Sequence, residues 1–190
     1  MDRVDSSELA AHTRELYLAA RFQELEQVCD RAIQRHGPTA GLLEMRAEAR
    51  SCLDDQTGAL ADAESAIELA PGRPSAYGRR AAALERLHLY LDAVEAQEQA
   101  LEVTLSRLEE DASDAEAWIA RASLAHDRGE DEEALQALDR ALQVGADPEE
   151  VQLARSLALA TLGQVEGALE SIEDVLEARP SSALYRAKHT

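Results

Sequence analysis

The sequence predicts an all-α chain, an α-solenoid of about five helix–turn–helix repeats with a short C-terminal capping helix, and three observations carry this. First, small residues recur at a fixed step: Ala59 and Ala93 are 34 apart, as are Ala134 and Ala168. Parallel series run Ala32, Ala66, Ala100, Ala141, Val175 and Ile33, Ile67, Leu101, Leu142, Leu176, and a step of 41 between 100 and 141 is the single exception. A period in this range marks stacked supersecondary units, each burying its apolar face on its neighbours. Second, 45% of the 190 residues are hydrophobic but only 3% aromatic, so the core must come from many small faces. Third, each period holds two stretches with the i, i+3, i+4 apolar spacing of amphipathic helices, and no strand-like alternation.

The elements follow in order. The spacing predicts helix pairs at 7–19 and 22–35, 40–53 and 56–69, 74–87 and 90–110, 115–128 and 131–144, and 149–162 and 165–178. In the second repeat Leu42, Leu43, Ala47, Ala49 and Leu53 mark the first helix; Ala59, Leu60, Ala63, Ala66 and Ile67 mark the second. Breaks fall at Asp54-Asp55, at Gly37-Pro38, at Pro71-Gly72-Arg73-Pro74, and at Pro148 and Pro180. Proline lacks an N–H and disfavours helix in the residue before it, so these are stops. The repeats span about 6–39, 40–73, 74–114, 115–148 and 149–180. Residues 181–190 are expected to form a C-terminal cap through Leu184 and Tyr185, because the open end of a repeat stack needs covering.

The 41-residue step adds seven residues, about two helical turns, which lengthens a helix without rotating its face. Leu101, Leu105 and Leu108 continue the apolar stripe, so the second helix of repeat three extends to about Glu110. Two readings stand for this extension: a partner contact, or an insertion packed locally. Ser113 and Glu116 have the spacing of a capping box for the next helix.

These positions resemble the tetratricopeptide repeat family. The fourth repeat matches through Trp118, Ala122, Gly129, Ala134, Leu138 and Ala141; the second through Leu43, Ala47, Ala59, Ala63, Ala66 and Pro71; the third through Tyr77, Ala81, Tyr90, Ala93 and Ala100. The first is degenerate (Leu9, Phe22, Leu25, Cys29), and the fifth keeps Leu162-Gly163, Ala168 and Pro180 but has Gln152 where a bulky residue is expected. The resemblance covers residues 6–180 and implies paired helices whose facing alanines let their axes approach closely.

Composition excludes several classes. A net charge of −19 argues against nucleic acid and anionic membrane as partners, which need a basic face. No apolar run approaches the roughly 20 residues of a membrane span, and Met1-Asp2-Arg3-Val4-Asp5 does not begin a signal peptide, so a cytoplasmic location is expected. Lys188 is the only lysine among 19 basic residues; a GC-rich genome and a salt-adapted cytoplasm both explain this. Cys29 and Cys52 occupy small-residue positions and read as packing. The five histidines (His12, His36, His88, His126, His189) have no metal-ligand spacing, and no phosphate loop or nucleophile arrangement occurs, so no cofactor, metal or catalytic residue is assigned and the chain reads as a non-enzyme. Glu130-Asp131-Glu132-Glu133 and Glu149-Glu150 lie at helix starts, where solvated negative charge suits the helix dipole.

Arg46, Arg80, Arg121 and Arg155 repeat with spacings 34, 41 and 34, with His12 in the corresponding place of repeat one. A ladder able to take acidic ligands is one reading; arginines bridging to acids such as Asp62, near the packed side of the first helix, is the stronger one.

The resemblance implies a ligand groove on the inner face of the first helices. Carried onto this chain, that groove offers Arg14 and Tyr17 beside Ala10, Glu44 and Glu48 beside Ser51, Ala82 and Glu85 beside Gly78, then Ile119, Ser123 and His126, and Leu153 and Leu157 beside Ala160. Its middle is acidic and its C-terminal end apolar. Members that clamp a carboxylate terminus use inner Lys and Asn, replaced here by residues such as Ala10 and Glu44, so that mode is not expected. The implied function is a non-catalytic scaffold or adaptor holding a peptide or helix of another protein. The alternative is a dedicated chaperone for a secreted or aggregation-prone client; a third reading, regulation of an enzyme through a further catalytic domain, requires a longer native chain. A homodimer through the C-terminal end is a further partner expectation.

Overall fold

The computed structural model describes the backbone of residues 6–178 and the side chains of residues 9–176. Among these residues it holds ten α-helices and no strand: α1 (Ser6–Leu18), α2 (Phe22–His36), α3 (Ala40–Cys52), α4 (Gln56–Leu69), α5 (Pro74–Arg86), α6 (Tyr90–Glu110), α7 (Ala115–Asp127), α8 (Asp131–Gln143), α9 (Pro148–Thr161) and α10 (Val165–Ala178). Each boundary lies within one residue of that read from the sequence. The expected cap at 181–190 lies outside the described residues.

Every helix pair turns by the same device. Ala20, Asp54, His88, Gly129 and Gly163, at the repeat spacing, all have positive φ, between 52° and 74°. The next residue's amide then reaches back five residues: Arg21 to Leu16, Asp55 to Arg50, Leu89 to Leu84, Glu130 to Ala125 and Gln164 to Leu159, at 2.8–2.9 Å. This is the Schellman ending, which satisfies carbonyls that the helix leaves over. Glycine enters it freely at 129 and 163, whereas the other three residues carry a side chain into a left-handed conformation that costs roughly 1–2 kcal/mol. Thr39, Asp55, Asp114 and Asp147 cap the starts of α3, α4, α7 and α9 by accepting from backbone amides of the first turn. The capping box expected from Ser113 and Glu116 does not form. A Ser113 cap would start the helix at Asp114, but α7 starts at Ala115, so Asp114 is the cap; Ser113 donates to Asp111 and Glu116 accepts from Arg107.

The described residues pack as two compact units, the first made of residues 6–71 with Ala76–Ala96, the second of Gly72–Ser75 with residues 97–178. In the first, α2 lies between α1 and α3, and α4 packs on α3. Its clusters are built from Leu16, Leu25, Cys29 and Ala49, from Leu43, Ala66 and Ala76, and from Ala81, Leu84, Ala93 and Ala96. In the second, α7 packs on α8, α8 on α9 and α9 on α10, while α7 also touches α9. Seven of the nine buried members of its cluster are alanine. Methyl-sized contacts let backbones come close, so a larger side chain there must force them apart.

The recurring alanines are where this matters. Ala59, Ala93, Ala134 and Ala168 are all buried, as are Ala66, Ala100, Ala141 and Val175. Of the two cysteines, Cys29 is buried as expected, but Cys52 is exposed. Other repeats place Leu18, Arg86, Asp127 and Thr161 at the latter position, so it is mostly polar and faces water.

Helix α6 has 21 residues where the others have 13–15, so the longer step does extend that helix. The added turns are tied down locally. Thr104 is fully buried and donates to the Ala100 carbonyl. Arg107 reaches Asp114 at 2.7 Å, Glu116 at 3.1 Å and the Gly72 carbonyl at 3.3 Å. Of the apolar stripe only Leu105 is exposed, with Leu101 and Leu108 half-buried.

Candidate functional site

The candidate face is carried by first helices: α1, α3 and α5 in the first compact unit, α7 and α9 in the second.

In the first unit Tyr17 is exposed and its ring meets Phe22 edge-on, 6.1 Å between centroids. Arg14 is half-buried, and Ala82 and Glu85 on α5 are exposed. Of the three acids expected in the middle, Glu85 alone is exposed. Glu44 is buried, and Glu48 is bonded by the guanidinium of Arg79 on α5. Burial holds the pKa of Arg79 below its ordinary value, with the nearby Glu44 and Tyr17 only partly opposing it. Two carboxylates taken out of water need a cation beside them, and Arg79 supplies it. Tyr17, Glu44, Glu48 and Arg79 thus form one cluster drawn from three successive first helices. Ser51 is also committed locally, its hydroxyl and carbonyl both bonded to Gln56.

Arg79 is the residue that sequence reasoning missed. Its signal was present: the other repeats have Ala11, Met45, Ala120 and Ala154 at that position. An arginine among small and apolar equivalents is out of pattern, but the neighbouring Arg80, in register with the ladder, masks it.

In the second unit the face is more apolar. Ile119 and Leu153 occupy equivalent positions and are half-buried; Ser123 and Leu157 are likewise equivalent and exposed, Leu157 by 59%. His126, at the end of α7, lies 2.5 Å from a carboxylate oxygen of Asp131. Asp131 is buried, so this member of the acidic run at 130–133 is a paired group rather than solvated charge.

The arginine ladder proves structural, by a rule hidden in the numbering. Arg46, Arg80 and Arg155 each reach an acid sixteen residues earlier, on the preceding second helix: Asp30, Glu64 and Asp139. At the 41-residue step that acid is displaced, sixteen before Arg121 being Leu105, and Arg121 instead lies over the Trp118 ring, 5.6 Å from its centroid. Arg46 also forks onto buried Asp62 at 2.9 and 2.6 Å, as the sequence suggested. These bonds raise the pKa of Arg46, Asp62 contributing most and burial opposing. An arginine so engaged is unavailable to a ligand.

No group of three or more metal-binding side chains occurs among the described residues, and none of their helices is long and apolar enough to cross a membrane.

A solved structure with this arrangement is TTC0263, a thermophilic TPR protein of Thermus thermophilus. It is 20% identical, with 97% of this chain and 96% of that one covered and a TM-score of 0.65. A tetratricopeptide repeat protein from Parabacteroides merdae (17% identity, 95% and 69% coverage, TM-score 0.47) and YrrB, described as a TPR protein with an unusual peptide-binding site (17%, 98% and 93%, 0.46), superpose less closely. No family model and no curated protein matches the chain. The chain is an array of paired helices with the tetratricopeptide-repeat fold.

Proposed function

We propose that the chain is a non-catalytic, cytoplasmic interaction scaffold that holds a peptide or helix of another protein against the first helices of its repeats. The supporting observation is the exposed Leu157, with Ser123 in the equivalent place on the touching helix α7 and half-buried Ile119 and Leu153 one turn away. A large side chain at 59% exposure beside a packed alanine core gains by being covered. Arg14, Tyr17, Ala82 and Glu85 are the contacts expected in the first unit, where the internal Glu48–Arg79 pair leaves little net charge to attract a ligand. The partner segment is therefore chiefly apolar.

A photo-crosslinking residue at Ser123, compared with one at Glu133 on α8, tests this in lysate. Expected is a discrete protein adduct from position 123 that Leu157→Asp suppresses. Equal adducts from both positions would overturn the assignment. A single client that becomes unstable when the chain is removed would favour the dedicated chaperone over the scaffold.

A further inference from the structure

Among the described residues the largest exposed apolar group lies elsewhere, at the start of α6 within the first compact unit. Leu91 is 87% exposed, Tyr90 59%, Val94 52% and Leu89 45%. Scattered exposed leucines are ordinary, but four large apolar residues within six positions are not. The repeat supplies a control: in place of Leu89-Tyr90-Leu91, repeat two has Asp55-Gln56-Thr57 and repeat four Glu130-Asp131-Glu132. Repeats one and five have one apolar residue each there, Phe22 and Val165. Helix starts favour polar caps and acids, so repeat three, apolar at all three positions, gives up a local preference that its sisters keep at two or three of them. Packing does not require this, since Ala93 and Ala96, on the other side of the same turns, make the buried contacts.

We propose that this ridge is a second docking site, for an amphipathic helix of another protein whose apolar stripe is flanked by Lys or Arg. A helix suits the ridge because Tyr90, Leu91 and Val94 stand at i, i+1 and i+4, the spacing that enters the groove of a facing helix. The charge requirement comes from Asp92, exposed in the first turn of α6, and from the chain's net charge of −19, both of which favour a basic partner. The net charge of −19 opposes a second copy of the chain in this place.

The probe is a fluorescein-labelled helical Leu/Lys peptide with one apolar face, compared with its Leu/Glu counterpart and a scrambled Leu/Lys peptide lacking that face. Anisotropy titrations use the wild type, Leu91→Ser/Val94→Ser, and Leu157→Ser, with helicity checked by circular dichroism. If the double variant loses helicity, Leu91→Gln replaces it. The expected result is affinity reduced about tenfold or more by the ridge variant and changed less than about twofold by Leu157→Ser. Equal binding by the ridge variant, or equal binding of the scrambled or Glu peptide, overturns the proposal. Self-association in sedimentation velocity that the ridge variant abolishes would assign the ridge to a second copy, and the proposal would also fall. Because Leu157→Ser probes the other face, failure here and failure of the scaffold reading are separable.

Discussion

Replacing Asp62 by alanine should be the most damaging single loss of a charge in the first compact unit. Its carboxylate, 5% exposed, accepts from Arg46 Nε at 2.9 Å, Arg46 Nη2 at 2.6 Å and Arg50 Nη1 at 2.8 Å. Bonds to charged groups contribute about 1.5–3 kcal/mol each, but they share one acceptor and cannot be summed. Breaking a buried pair by removing one partner costs about 3–5 kcal/mol, because the other charge is left uncompensated. Here the arginines keep some cover: Arg46 retains Asp30 at 2.6 Å and Arg50 retains Glu26 at 3.0 Å, and their side chains are 16% and 21% exposed. The lower end, about 3 kcal/mol, is therefore expected for Asp62→Ala. Asp30→Ala removes a carboxylate that is 40% exposed and leaves Arg46 paired to Asp62, so about 1 kcal/mol or less is expected. Urea unfolding followed by far-ultraviolet circular dichroism reads both. A cost below about 0.5 kcal/mol for Asp62→Ala, or equal costs for the two variants, would refute the reasoning about buried charge.

Other outcomes follow from the packing. Ala134→Leu overpacks a fully buried site beside Trp118 and should cost about 1–3 kcal/mol; an unshifted tryptophan-emission transition in urea would refute close helix approach. Ala20→Gly relieves a left-handed alanine at φ 52° and should stabilise by about 0.5–1 kcal/mol after the entropy that glycine adds to the unfolded chain; a destabilised variant would count against the turn. At pH 8 a thiol reagent should label Cys52 and spare Cys29, whose pKa burial pushes up to about 11. The folded chain then keeps the Cys29 proton after the unfolded chain has released it near 9.0, so stability should decline between those values. A Cys29→Ala variant should lack that component, and identical pH profiles would contradict it.

The elements were legible because two independent codes agree on them. Apolar periodicity marks helix bodies, and Pro, Gly and Asp mark their ends. Even the 41-residue step could be read, since seven residues restore the same helix face. What failed were inferences that treated a position as acting alone. Glu44 and Glu48 resembled an open acidic patch because their neutralising cation, Arg79, lies on another helix, 31 residues beyond Glu48. Asp131 resembled solvated capping charge because His126 comes onto it only when the α7–α8 turn closes. Cys52 resembled a packing residue until its polar equivalents in other repeats were set beside its exposure.

Local composition thus determined which segments are helical and which residues are small enough to be pressed together, because propensity and steric size are properties of each residue. Tertiary structure decided the electrostatics: which arginines are spent on acids sixteen positions back, which carboxylates are paired, and which leucines remain in water. Pairing and exposure depend on distances between helices, and those are set only once the alanine faces have closed.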